Sequence, residues 1–395
     1  KQPVVFVGPF EHHSNELPWR ESCAKVVRCP ENSKGHLCLK TLEKLLIEFK
    51  SKSSLMIGSF SACSNITGVL TDTNKTTALL HRHGALAFFD YATAGPYVQI
   101  DMNPVVLGED DVKKDAVFIS PHKFIGGPGS CGILIAKKKL FSTNRTPYRP
   151  GGGTVFFVTP NEHRYLSNRV EREEGGTPDI MGSIRAGLAF QIRCGVSLTE
   201  LQALETEICD KVLKRFDKMK NVVVLARHVT PRLPVISFLI RHETRFLHHN
   251  FVSAVLNDVY GIQSTLFDFL LTHSLTHSLT HSLTHLLHKH THTHTGRGGC
   301  ACAGPYALKL LGMSHDDIHH LERELLEKHE LLRPGFVRIS FPYFVKHEEV
   351  EYVLRAIEQV SKYGYRLLPH YRFNHKTGEV LHRKRFTKFP QRIWL

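Results

Sequence analysis

The sequence predicts an α/β protein, with a mostly parallel sheet flanked by helices on both faces and a smaller α+β domain at its C-terminal side. Two observations lead there. Through the first half of the chain, short apolar runs bounded by glycine- and proline-rich turns alternate with helical patterns. In the second half that alternation stops, and two strand-like runs are set among long amphipathic helices. At 395 residues the chain is long enough for two such domains.

Taken in order, "VVFVG" at 4–8 reads as a strand, and the next helix carries Leu42, Leu45, Leu46 and Phe49 on one face. The runs "SLMIGSF", "GALAFFD", "DAVFIS" and "CGILIA" follow as strands. Chemistry in such sheets gathers at the carboxyl ends of the strands, which is where Asp90 and the Ser120–Lys123 cluster fall. Later come a helix over Glu200–Phe216, the strand "VISFLI", the strand "FVRISF" and a helix with Val350, Val353, Leu354, Ile357 and Val360 on its apolar face. This divides the chain into a large domain over 1–190, a small domain over 191–365 and a basic tail over 366–395 without a strong period.

Composition narrows the function classes. With 42% hydrophobic and 22% charged residues, the chain is globular, and no apolar run is long enough to span a bilayer. The net charge of +14 is scattered and accompanied by no binding motif, so it reads as a solvated basic surface and not a nucleic-acid site. Nine cysteines at irregular spacing form no disulfide framework. With no export signal, they point to a reducing compartment, the cytoplasm. The chain opens on Lys1 and runs at once into a strand, as a truncated chain does.

The most informative stretch is "DAVFISPHKFIGGPGSCGILIA", in which a strand ends in Ser-Pro-His-Lys, a glycine-rich turn follows and a second strand leaves. A lysine at such a strand end, flanked by a hydroxyl and an imidazole, is either a usable amine nucleophile or a surface loop lysine. Asp90 ends the apolar strand "GALAFFD", where an unpaired carboxylate is costly. Its reading stays open between a helix cap, a core ion pair and the acid that faces a pyridinium nitrogen.

"DYATAGPYVQID" and "SPHKFIGGPGSCGIL" resemble the class V aminotransferase family of enzymes that use pyridoxal 5'-phosphate (PLP), in its cysteine desulfurase and selenocysteine lyase branch. "EHHSNELPW", "SNITGV", "EGGTPDI" and "RGGCACAGPYA" add to the likeness. The resemblance implies fold type I of the PLP-dependent transferases. It makes Lys123 the lysine that joins the cofactor aldehyde and later moves the substrate's α-proton, His12 the ring-stacking residue and Asp90 the partner of the ring nitrogen. Asn65 would bond the ring hydroxyl, Ser120 and His122 the phosphate, and Thr177 would reach in from a second subunit of a homodimer. Arg338, assisted by Arg297, would clamp the carboxylate of a small amino-acid substrate. Cys302 would attack the substrate sulfur and pass it on, with a sulfur-acceptor protein as a further partner. Thr93 stands where these desulfurases carry glutamine beside the ring, and Cys300-Ala301 replaces a pair that is often His-His. The alternatives are therefore an aminotransferase, epimerase or lyase without sulfur transfer, or an inactive fragment.

Between "GIQS" and "RGGCACAGPYA", which relatives join directly, stands "LTHSLTHSLTHSLTHLLHKHTHTHT". Its histidines recur every four residues, a spacing that stacks imidazoles on one helix face. A CACT repeat in DNA reads His-Ser-Leu-Thr, however, and a CA tract reads His-Thr. The segment 265–296 is therefore read as low-complexity translated repeat and not as a native metal site.

Overall fold

The computed structural model describes residues 1–108, 111–142, 145–262 and 302–384. The repeat over 265–296, Arg297, Cys300 and the last eleven residues of the basic tail lie outside them. The first domain is a six-stranded sheet of β1 (Val4–Val7), β2 (Lys25–Arg28), β3 (Met56–Ser61), β4 (Leu86–Asp90), β5 (Ala116–Ile119) and β6 (Ile133–Ala136), in the order β2-β1-β3-β4-β5-β6. All neighbours are parallel except β5 and β6, which close the edge as an antiparallel pair.

The apolar run at 4–7 is continuous because both faces of β1 are covered. Val4 and Phe6 point into the main core with Leu42 and Leu46 of α2 (Leu39–Phe49) and Leu79 and Leu80 of α3 (Thr73–Arg82). Val5 and Val7 point the other way with Ile57, against Trp19 of α1 (His13–Arg20) and Phe88. One strand thus holds helices on both faces.

Hairpin strands β7 (Val155–Val158) and β8 (His163–Tyr165), short α4 (Arg169–Glu173) and α5 (Ile180–Cys194) follow. The second domain begins with α6 (Leu198–Phe216), closed at its start by a reciprocal Ser197–Glu200 capping box. Its antiparallel sheet pairs β10 (Val235–His242) with β9 (Val222–Val224), β11 (Arg245–Phe246) and β12 (Val337–Ser340). Residues of α6, α7 (His249–Tyr260) and α10 (His347–Tyr363) pack against it, with Phe216, Phe238, Phe251 and Leu354 fully buried. Between them lie α8 (Gly304–Leu310) and α9 (His315–Leu326). From residue 366 the sequence shows no strong period, yet the 3₁₀ turn Gly364–His370 leads into a hairpin of β13 (Tyr371–Phe373) and β14 (Val380–His382). What makes it is local turn chemistry, since Asn374 Oδ1 accepts from Lys376 N at 3.0 Å and Gly378 sits at φ 68°.

A third core of Phe10, Ile66, Val69, Leu225, Ala303, Tyr306, Ala307 and Phe336 bridges the two halves. Polar contacts reinforce it, with Ser237 Oγ donating to Ile66 O at 2.6 Å and Leu233 N to Gly68 O at 2.8 Å. Gly68 has φ 72°, and a Cβ there would lie 2.3 Å from Leu233 O, so only glycine permits this approach.

At the opposite end of the large sheet, Asp115 stands just ahead of β5 and is fully buried. Its Oδ2 accepts from Ala87 N at 3.0 Å and faces His81 Nε2 at 2.8 Å, and its Oδ1 faces Lys139 and Lys137 Nζ at 2.9 and 3.2 Å. Burial pushes this carboxyl up, but the hydrogen bonds from His81, Ala87, Lys139 and Lys137 outweigh it and hold it well below the usual carboxylate range. A depressed value contributes stability above the unfolded pKa and loses it as pH falls. Asp115→Ala is expected to cost about 3 kcal/mol in urea unfolding at neutral pH, with the gap to wild type narrowing below about pH 4.

Candidate active site

The carboxyl ends of β3, β4 and β5 open toward the second domain, and the site is assembled there. β5 runs into the 3₁₀ turn Pro121–Lys123, closed by Lys123 N donating to Ser120 O at 3.0 Å. The glycine-rich segment folds back beneath this turn. A Cβ on Gly127 would lie 1.8 Å from Pro121 O, so that position admits no side chain. Phe124 then anchors the turn to α5 through a ring contact with Phe190 at 4.8 Å. Ser120 and Lys123 are half-buried, while His122 is exposed.

Asp90 ends β4 one strand away, and its Oδ1 accepts from Ala92 N at 2.7 Å. Desolvation raises its pKa, and the Ala92 hydrogen bond and the charge of Lys123 pull back against that rise. Thr93 is half-buried in the turn that follows.

His12 caps α1, its Nδ1 accepting from Ser14 N at 3.1 Å. That bond leaves the proton of the neutral ring on Nε2. Burial, and then the charges of Lys123, His13 and Arg338, lower its pKa to about 4, so the ring is neutral at physiological pH. One imidazole therefore lies within the field of both the β5 lysine and the β12 arginine. Arg338 is itself aimed by its Nη1, which donates to Asn65 O at 2.7 Å. The Asn65 loop is shaped by Ser64 Oγ, which accepts from Ile66 N and Thr67 N at 3.2 and 3.1 Å.

Cys302 enters from the second domain. It is exposed, has φ 54°, and its carbonyl accepts from His13 N at 2.7 Å. Two residues on, Gly304 N donates to His13 Nε2 at 3.0 Å. The loop bearing the thiol is thus fastened to the helix start that His12 caps. Thr177 is exposed, three residues ahead of α5, whose Ile180, Met181, Ile184, Leu188 and Ile192 are exposed as well.

Among the sequence-derived candidates, the charge of Lys123 acts on His12 and Asp90, that of Arg338 acts on His12, Arg338 bonds Asn65, and the Cys302 loop joins them through His13. The sequence reading passed over Glu11. It is buried, and its Oε1 accepts from Gly8 N at 3.1 Å and Ser61 N at 3.0 Å. Its Oε2 accepts from Ser61 Oγ at 2.8 Å and Asn15 Nδ2 at 2.6 Å, and Asn15 Oδ1 in turn accepts from Ser59 Oγ at 2.7 Å. Desolvation raises Glu11 to about 7 against the hydrogen bonds of Asn15 and Ser61, with the Asp90 charge adding to the rise. The available signal was an acidic residue four positions past a buried apolar strand and beside two histidines.

Residues 1–265 match the model of the family described as Aminotransferase class-V. A protein from Halalkalibacterium halodurans described as a probable cysteine desulfurase is 28% identical over 224 residues, covering 56% of this chain and 52% of that relative. A cysteine desulfurase from Shigella flexneri is 27% identical over 262 residues, covering 65% of this chain and 59% of the relative. The match thus spans little more than half the length of these curated relatives. Among solved structures, the cysteine desulfurase CsdA from Escherichia coli superposes with a TM-score of 0.66 at 19% identity, over 91% of this chain and 72% of that one. The apo cysteine desulfurase from Thermococcus onnurineus NA1 does so with 0.66 at 22% identity, over 92% and 73%. These likenesses show the fold, that of the PLP-dependent transferases of type I, with the mostly parallel sheet described above.

The raised value of Glu11 carries a sign. A carboxyl whose folded pKa of about 7 exceeds its ordinary 4.5 contributes stability at low pH and loses it as pH rises through 7. The isosteric Glu11→Gln has no such titration. Wild type is therefore expected to lose on the order of 3 kcal/mol relative to Glu11→Gln between about pH 4 and pH 8. Urea unfolding across that range measures it, and parallel curves for the two proteins contradict the assignment.

Proposed function

The chain belongs to the class V aminotransferase family, and from that premise we propose that it is a PLP-dependent enzyme acting on a sulfur-bearing amino acid, with Cys302 as the sulfur acceptor. The observation that carries this reading is the placement of Lys123 in the turn after β5 beside the end of the neighbouring strand β4, where Asp90 stands, with its charge felt by two different groups. Lys123 opposes the desolvation of the Asp90 carboxyl and disfavours protonation of the His12 ring.

The residues fit the cofactor on their own chemistry. A carboxylate at a buried strand end suits a protonated ring nitrogen, a neutral imidazole offers a flat face for stacking, and an amine stands in the field of both. Asn65, Thr93, Ser120 and His122 would complete the set that holds the group, with Thr177 contributed across a homodimer. The exposed apolar stripe of α5 supports that pairing. When bound, PLP supplies an electron sink for bond breaking at the substrate's α-carbon.

The chain's own residues do the rest. Asp90 would favour the proton on the cofactor's ring nitrogen, and His12, held neutral, would offer its ring face without adding charge. Arg338 takes the substrate carboxylate in a two-pronged hydrogen bond, its orientation set by Asn65 O. Lys123 carries the proton from the substrate's α-carbon. Cys302, once deprotonated, attacks the substrate sulfur; a new S–S bond forms, the carbon–sulfur bond breaks, and its electron pair stays with the carbon. The sulfur leaves on Cys302 as a persulfide, for transfer to an acceptor protein. Arg297 lies outside the described residues, and its part in holding the carboxylate rests on the sequence resemblance.

The full chain supplied with PLP and L-cysteine is expected to release alanine and, with a thiol reductant, sulfide. Cys302→Ser is expected to abolish both while leaving the cofactor absorption band in place. Turnover surviving that substitution would instead favour an aminotransferase, epimerase or lyase activity. Asp90→Asn is expected to lower turnover roughly 100-fold or more with PLP still attached, because an amide cannot hold the ring proton by charge.

A further inference from the structure

The helix α9 (His315–Leu326) is unusual among the elements of the second domain, because none of its twelve residues is buried. Ile318, Leu321 and Leu325 are only half-covered, and Leu326 is exposed. A helix of this length is marginal in water without a packed face. Its start is secured by a reciprocal capping box between Ser314 and Asp317. Along its solvent side run His315 and His319, one turn apart, with their Nε2 atoms 3.3 Å from each other and their ring centroids 4.3 Å apart in an edge-on arrangement.

That separation has a specific chemical meaning. Two nitrogen ligands bound at 2.0–2.1 Å to a tetrahedral ion stand about 3.3–3.4 Å apart. Two neutral imidazoles that turn unprotonated Nε2 lone pairs toward each other repel unless a proton or a cation sits between them. Glu322 Oε2 lies 3.6 Å from the other ring nitrogen of His319, Nδ1. That carboxylate stands within ion-pair reach on the side of the ring away from His315, where an outer carboxylate stands beside a ligating histidine. Asp316 and Glu322 add negative charge to the same exposed side.

We propose that His315 and His319 of α9 form a two-histidine site for a borderline divalent transition-metal ion, of the Zn²⁺, Ni²⁺ and Cu²⁺ class. The remaining coordination positions are filled by water, so the site is open and its metal exchanges. Binding clips one helical turn and supplies to α9 the stability that its packing does not. The hard cations Mg²⁺ and Ca²⁺, which prefer oxygen ligands, are not bound. The site is independent of the PLP chemistry and lies on a different element.

Hydrogen–deuterium exchange on the full chain with added Zn²⁺ tests this, because it reports on α9 separately from every other histidine. Zn²⁺ at ten times its dissociation constant is expected to slow exchange in segment 314–327 about tenfold. Cu²⁺ should act at lower concentration than Zn²⁺, and Mg²⁺ not at all. His315→Ala and His319→Ala, both at exposed positions, are expected to abolish the protection. His320→Ala, on the neighbouring face, should retain it. Protection confined to other segments, or persisting in His319→Ala, would overturn the proposal.

Discussion

Everything in the site leans on one buried carboxylate. Glu11 sits where the first strand has just ended, and its two oxygens gather donors from three places: Gly8 N, Ser61 N and Oγ, and Asn15 Nδ2. The end of β1, the start of α1 and the end of β3 are thereby drawn to a single point. Both oxygens are occupied by donors, so the charge is satisfied by hydrogen bonds and not by a counter-ion. The next residue is His12, whose position as the cap of α1 follows from where Glu11 pins the chain. Ser61 pairs in register with Asp90 on β4, so the same point sets the strand end that presents the second carboxylate. Burial raises both acids, the Asp90 charge adds to the rise of Glu11, and the charge of Lys123 pulls Asp90 back.

The second constraint is the junction of the two halves. The loop after β3 must pass close to the strand entering the second domain, and Gly68 against Leu233 O is what allows it. That approach lets Ser237 and Arg338, on neighbouring strands of the small sheet, bond the carbonyls of Ile66 and Asn65. Arg338 therefore reaches the site only because the two domains are packed at this angle. Cys302 depends on the same junction, since Ala303 and Tyr306 lie in the bridging core while His13 holds the loop by backbone bonds. Arg338 and the Cys302 loop come from one domain, and Asp90, Lys123 and His12 come from the other.

Much of this was legible in the sequence. The strands β1, β3, β4, β5 and β6 each announce themselves as apolar runs between turn residues, and α2, α6 and α10 by their periodic faces. Lys123 and Asp90 were visible because charged groups at the ends of apolar strands are costly unless used. The short strand β2 was not, because only Val26 and Val27 are apolar between Lys25 and Arg28, and the segment gains its place by pairing with β1. Nor was Glu11, since nothing in a single acidic residue discloses that four donors converge on it from positions up to fifty residues away. The same limit hid the α9 histidine pair. The conspicuous histidine repeat drew attention, while His315 and His319 show their meaning only through the distance between two ring nitrogens.

The central claim is that Lys123 is the amine this site is built around. The direct measurement is to supply PLP to the full chain, reduce it with borohydride and map the modified peptide by mass spectrometry. The account predicts a single stable adduct on Lys123, absent from Lys123→Ala even though that protein folds. An adduct spread over surface lysines, or one that survives in Lys123→Ala, would contradict it.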